Sequence, residues 1–184
     1  MTSKKVEKAV DSQLLVTRTA EMKIPIIGLT PMICHSLRGR ERPTTPTPEQ
    51  EFQESLYEKM NGKYVFPSSG PKKAMSAAGM LINKQPFKYG IVKSCIWIKE
   101  PFLVIEGDEP IPFSTWVRVG NARIKRTRAM FKNWKMKMTI GYYADVFKDP
   151  TQIVYLVNYA GRVGIGDWRP EKNGDYGRFV IDKK

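Results

Sequence analysis

Histidine occurs once in this 184-residue chain and cysteine twice, and the scarcity excludes much. Cys34 and Cys95 are far apart and form no CxxC pair, so a disulfide scaffold is not expected. The expected compartment is a reducing one, the cytoplasm. His35 and two scattered thiols do not make a zinc site, and neither a metal nor a cofactor is expected. No GK[ST] follows a glycine-rich turn, so there is no P-loop, and the late glycine-rich segment follows a helix pattern and leads into a strand, the reverse of a dinucleotide-binding fingerprint. No apolar run approaches the ~20 residues of a membrane span. The opening MTSKKVEKAVDSQ has no apolar h-region, which argues against a secretory leader. Finally, no acid occurs between Pro110 and Ala144.

What the chain has in excess is positive charge: 31 Lys+Arg against 18 Asp+Glu, a net +13. Such a surplus suits a polyanionic partner, with nucleic acid first. The length fits one domain. Residues 1–12 read as a lysine-bearing arm and 13–184 as a single domain, with a Pro/Thr-rich loop over 38–48 and a basic hairpin inserted at about 112–140.

The local signals are readable. LLVTRTAEMKIPIIGL is extended, and its proline argues for an edge or a bend. TPEQEFQESLYEKMNG is a helix: Thr47 caps, Pro48 opens, Gln50 closes a capping box, and Gly62 stops it. A short strand in KYVFP precedes a second helix from about Gly70. GIVKSCIWI, PFLVIEG, STWVRV, ARIKRTRAMF and KMKMTIGYY read as strands, with Met136 and Met138 on one core-facing side. DPTQIVYLVNYAG is the best-marked helix. Asp149 caps it, Ile153, Leu156, Val157 and Ala160 form one face, and Gly161 takes the C′ position. The order of elements predicts an α+β fold of ferredoxin-like (RRM-like) type, an antiparallel sheet with helices on one face and an inserted basic β-hairpin.

Four features carry chemistry. The first is the acid-free run, whose eight cations are Arg118, Arg123, Lys125, Arg126, Arg128, Lys132, Lys135 and Lys137. Aromatic residues, Trp116 and Trp134 among them, interleave with them. Cations neutralise phosphates and aromatic rings stack on bases. Singly, Trp116 and Trp134 suit a core better than a base stack, but the run as a whole reads as a nucleic-acid surface. Strand alternation puts Arg123 and Lys125 on one face and Arg126 and Arg128 on the other. The second feature is FPSSGPKKAMSAAG. Lys72 and Lys73 stand in the first turn of a helix, the unfavourable end for cations by roughly 0.3–1 kcal/mol each. A phosphate held by the helix N-terminus, Ser68 and Ser69 would reverse that sign.

The third is GRVGIGDWRPEKNGDYGRF, 161–179, with glycines at 161, 164, 166, 174 and 177. Gly164 and Gly166 free the backbone to offer N–H groups to phosphate, Trp168 offers a ring, and Arg169 and Arg178 add charge. Asp167, Glu171 and Asp175 would repel phosphate, so they must turn away or pair with the loop's own cations. The fourth is His35, which is either structural, a phosphate contact, or the acid–base group of a metal-independent ribonuclease working with Lys and Tyr.

Three segments in order, IIGLTPMICHSLRGR, YVFPSSGPKKAMSAAG and the glycine-rich stretch ending GDYGRF, resemble the RAMP superfamily of CRISPR backbone and crRNA-processing proteins. The resemblance covers most of 20–182. It implies a ferredoxin-like core with an inserted hairpin that binds single-stranded RNA, often with subunits stacked along the strand. It would place RNA backbone near Ser68, Ser69, Lys72 and Lys73, and packing or phosphate roles on Gly164, Gly166, Gly174 and Gly177. Pro71, Lys73 and the inserted WRPEK depart from the family's usual pattern. A small chain of this kind also resembles bacteriophage-encoded proteins, for which single-stranded DNA is the alternative ligand. The expectation is a non-enzymatic single-strand binder that coats RNA or ssDNA as a homo-oligomer, away from any membrane. The alternatives are an endoribonuclease using His35 and a protein-binding inhibitor or structural protein.

Overall fold

The computed structural model describes residues 18–36 and 45–183. The arm expected over 1–12 and most of the loop expected over 38–48 lie outside these residues. The strands are β1 (Thr19–Gly28), β2 (Met32–Ile33), β3 (Val65–Pro67), β4 (Ile96–Ile98), β5 (Phe102–Val104), β6 (Glu106–Gly107), β7 (Ile111–Val119), β8 (Ala122–Phe131), β9 (Trp134–Tyr143) and β10 (Phe179–Ile181). The helices are α1 (Pro48–Ser55), α2 (Ser69–Ile82), α3 (Tyr89–Cys95) and α4 (Thr151–Val163).

The main sheet runs β10-β1-β9-β4, all antiparallel, and β6 shares the β9 edge with β4. The β-α-β-β-α-β core is therefore β1, α2, β4, β9, α4 and β10, the ferredoxin-like plan. Ile24 and Ile26 of β1, Met136, Met138 and Ile140 of β9, and Ile96 of β4 are buried in one core with Met75 and Ala78 of α2 and Ile153, Leu156, Val157 and Ala160 of α4. Each large apolar side chain removed from water here stabilises by about 1.5–3 kcal/mol.

Four local expectations change. β1 is an interior strand despite Pro25. The Pro25 carbonyl accepts from Asp182 N–H at 2.9 Å, just past the end of β10, so its nitrogen faces the same side, where no ladder bond is needed. α1 has the expected capping box of Thr47 and Gln50 but ends at Ser55 rather than at Gly62. The Ser55 hydroxyl donates to Phe52 O at 2.7 Å and accepts from Ala129 N–H, and the chain then turns extended to bury Leu56. GIVKSC is not strand but the short helix α3, which buries Val92. α4 begins one residue later than expected, with Pro150 at the N-cap and Asp149 accepting from Thr151 N–H at 2.8 Å, and runs on to Val163. Gly161 lies inside it, because a Cβ there would stand 1.9 Å from the Phe179 carbonyl.

β7 and β8 form a long hairpin in a separate three-stranded sheet with β2. α1 clamps its base: Glu51 pairs with Arg126 and accepts from Thr127 N–H at 2.7 Å. Residues 134–143 are not part of the hairpin. They are the central strand β9, flanked by β1 and by β4 and β6.

Candidate nucleic-acid interface

Register divides the hairpin into two faces. The pairs Arg118↔Arg123, Trp116↔Lys125 and Ser114↔Thr127 share one side, and Phe113↔Arg128 and Thr115↔Arg126 share the other. The second side, at the base of the hairpin, is packed inward. Phe113 lies 5.9 Å from the Trp168 ring and 5.6 Å from Tyr176, and the Arg128 guanidinium is 5.6 Å from Trp168. The first side opens to solvent towards the turn. Trp116 is 68% exposed there. Arg118, Arg123 and Lys125 around it are exposed too, and among the described residues none of the three is paired with a carboxylate. Arg118 donates to Gly120 O at 3.0 Å, which holds its head beside the turn. An indole with both polar neighbours and solvent access, ringed by three cations, matches what base stacking with phosphate neutralisation requires.

Of the run's other five cations three are engaged elsewhere, and Lys132 and Lys137 are exposed. Arg126 is paired with Glu51, Arg128 with Asp167 at 2.7 Å, and Lys135 with Asp182 at 3.0 Å. Burial lowers the Arg128 pKa, with Asp167 opposing. Lys132 is exposed at the turn between β8 and β9. Trp134, expected on the nucleic-acid surface, is 1% exposed. Its indole N–H donates to Thr30 O at 2.9 Å and its ring meets Phe179 edge-on, so it has no face to offer a base.

The glycine-rich segment is built for its own packing. Gly166 has φ +81°, and a Cβ would stand 2.5 Å from Ile33 O; Gly177 has φ +69° and would meet Ile165 O at 1.8 Å. These glycines admit neighbouring backbone rather than a phosphate. The segment's N–H groups are largely spent as well: Gly164 donates to Ala160 O, Ile165 to Gly177 O, Asp167 to Ile33 O, Gly174 to Arg169 O and Gly177 to Pro31 O. The Gly164 N–H, expected to face phosphate, is thus spent within the fold. Its acids pair with cations, as anticipated. Glu171 holds Arg169 at 2.6 Å, Asp175 holds Arg178 at 3.2 Å, and Asp167 holds Arg128 and meets His35 Nδ1 at 3.3 Å. Trp168 is half-buried against Phe113 and Arg128.

Three of the singled-out segments nevertheless meet. A cleft of about 220 Å³ is lined by His35, Tyr57, Ser69, Gly70, Lys73, Gly166, Asp167 and Arg169, among others. The N-terminus of α2 opens into it, and Ser68 makes no side-chain cap, so the first-turn N–H groups of Ser69 and Gly70 keep their unsatisfied character. Lys73 is exposed at the cleft, whereas Lys72 turns away to donate to Val92 O at 3.3 Å, and burial lowers its pKa. Burial would raise the Asp167 pKa, but the His35 hydrogen bond and the Arg128 charge outweigh it and hold it below the usual carboxylate range. Burial first, then the neighbouring Cys34 and Asp167, pushes the Tyr57 hydroxyl up to about 12, so Tyr57 stays a neutral donor, bonded to His35 O at 3.2 Å.

Sequence reasoning missed Tyr57 and the contact of Asp167 with His35. It also read Trp116 alone as core, since the register that sets it opposite Lys125 shows only in the structure. Among the described residues no His/Cys/Asp/Glu group could hold a metal ion, and no helix is long and apolar enough to cross a membrane.

No protein-family model matches the chain, and neither does any curated protein. Solved structures do. One is a chain in the cryo-EM structure of the Type III-B Cmr-beta bound to cognate target RNA, 12% identical, TM-score 0.60, matching over 100% of this chain and 66% of that one. Another is the crystal structure of Cmr6 from Pyrococcus furiosus, 9% identical, TM-score 0.50, matching over 90% of this chain and 99% of that one. At these identities the likeness is one of fold.

Proposed function

We propose that this protein binds single-stranded nucleic acid, RNA in the first instance, and coats the strand as several copies without cutting it. The observation that carries this reading is the solvent face of the β7–β8 hairpin, where Trp116 stands 68% exposed among Arg118, Arg123 and Lys125. The cleft supports it with an uncapped helix N-terminus and Lys73. The fold supports it by analogy, because one assembly containing a similar chain was solved bound to target RNA. The test is fluorescence anisotropy with labelled 30-mers of ssRNA, ssDNA and duplex DNA in EDTA, followed by a denaturing gel. Tight, salt-sensitive binding to uncut single strands supports the reading, and the ratio of RNA to DNA affinity identifies the ligand. Duplex preference, or no binding, ends it.

A second reading rests on the His35–Asp167 pair, with Lys73 and Arg169 in the same cleft. Asp167 would hold the Nδ1–H tautomer and leave Nε2 to take the proton of a ribose 2′-OH. The 2′ oxygen would then attack the adjacent phosphorus, the 5′ oxygen would leave with a proton, and a 2′,3′-cyclic phosphate would result. RNA cut in EDTA by the wild type and left whole by His35→Ala would favour this reading over simple coating.

A further inference from the structure

The helical layer has a surface that the nucleic-acid reading does not use. At the C-terminal end of α2, the start of α3 and the first half of α4, five large apolar side chains stand open: Met80 (56%), Leu81 (66%), Tyr89 (42%), Val154 (37%) and Tyr155 (40%). They belong to one region. Phe87, buried between them, has its ring 5.4 Å from Tyr155, and Gly79, next to Met80 in α2, lies against Phe87 O and Tyr89 N. Tyr155 continues into Tyr159 at 5.0 Å, which carries the Arg162 guanidinium at 4.6 Å. Scattered exposed apolar residues are ordinary, but a contiguous group of them on one face is a mark of an interaction site.

The charge around this patch is mostly positive. From Ser69 to Lys99, across α2 and α3, there is no acid, and there is none within α4. Lys84, Lys88, Lys93 and Arg162 are all exposed, Lys93 lying 5.8 Å from the Tyr89 ring. The exceptions are Asp145 and Asp149, exposed in the segment just before α4, where the Asp149 carboxylate accepts from Thr151 N–H. A second copy is a poor occupant, since two like patches on chains of net +13 would repel. A nucleic-acid strand would use the cations and Tyr155 but would leave the aliphatic Met80, Leu81 and Val154 without a match, since bases stack on aromatic rings.

We infer that this face docks a protein partner that presents an acidic, apolar segment, an amphipathic helix with carboxylates flanking its apolar stripe. The apolar residues supply contact area, and the lysine rim supplies complementarity and rejects basic surfaces. The surface is separate from the hairpin, so a nucleic-acid strand and a protein partner are held at once.

The probe is a fluorescein-labelled 18-residue peptide with leucine on one helical face and glutamate on the other. Its controls have lysine in place of glutamate, or serine in place of leucine. The leucine/glutamate peptide binds and the two controls do not. Leu81→Glu with Tyr155→Glu weakens it by about tenfold or more. Because those changes alter apolar positions, Lys84→Glu with Lys88→Glu is a second variant at exposed side chains and weakens it likewise. Arg123→Glu with Lys125→Glu leaves peptide binding unchanged, and the helix-face variants leave ssRNA binding unchanged. The inference fails if the serine/glutamate peptide binds equally well, if the hairpin variant abolishes peptide binding, or if no peptide binds. It also fails if the helix-face variants weaken the ssRNA 30-mer as much as the peptide, which would make this face a nucleic-acid surface.

Discussion

The hairpin tip and the glycine-rich segment are both rich in cations and aromatics, yet the fold uses them in opposite ways. In the segment each acid is matched to a cation, Glu171 with Arg169, Asp175 with Arg178 and Asp167 with Arg128, and the glycines let backbone close on backbone. At the hairpin tip Arg118, Arg123 and Lys125 surround an open Trp116. The two regions have the same residue types and a different balance. A cation next in sequence to acids is neutralised at home, whereas one in an acid-free run is neutralised only where the fold brings a distant acid to it, as at Arg126, Arg128 and Lys135, and at the hairpin tip none arrives.

That contrast is best broken at a glycine. Gly177→Ala puts a Cβ 1.8 Å from Ile165 O at φ +69°. We expect it to cost roughly 2–4 kcal/mol of stability. A thermal melt should show the loss, and nucleic-acid binding should fall with the folded fraction alone. Next in size is Trp116→Ala, which should leave the melting temperature unchanged and weaken single-strand binding by roughly 1–3 kcal/mol, measured by anisotropy.

Asp167→Asn probes the centre of the cleft. A carboxyl whose pKa is depressed in the folded state stabilises the fold fully above about pH 4, its unfolded value, and loses that contribution as the pH falls through the depressed folded value. Melts of the wild type should therefore drop on acidification through this range, and those of Asp167→Asn should drop less. The smallest expected effect comes from Glu171→Gln with Asp175→Asn, which frees Arg169 and Arg178. Single-strand affinity should rise by a few-fold at low salt and converge with the wild type at high salt, since exposed pairs are worth about 0–1 kcal/mol each.

Much of the fold was legible because local signals agreed with the global arrangement. The capping box at Thr47, the apolar stripe of α4 and the paired Met136 and Met138 all declare themselves within a few residues. What was not legible depends on partners distant in sequence. α1 stops early because Ser55 serves the Ala129 N–H, and Pro25 is tolerated inside the sheet because β10 ends beside it. The site divides in the same way. Charge runs and the Lys73 helix terminus show in sequence. Which tryptophan is buried does not: Trp134 sits in the central strand under Thr30, whereas Trp116 stands two residues before Arg118 on the projecting hairpin.

The most direct measurement is the salt dependence of ssRNA binding for the wild type and for a variant in which Arg118, Arg123 and Lys125 are all alanine. If the hairpin face neutralises phosphates, the slope of log K against log salt should become shallower by about 2, at roughly 0.7 per lost single-strand contact. An unchanged slope, with affinity intact, would contradict the claim that the hairpin face is where the strand binds.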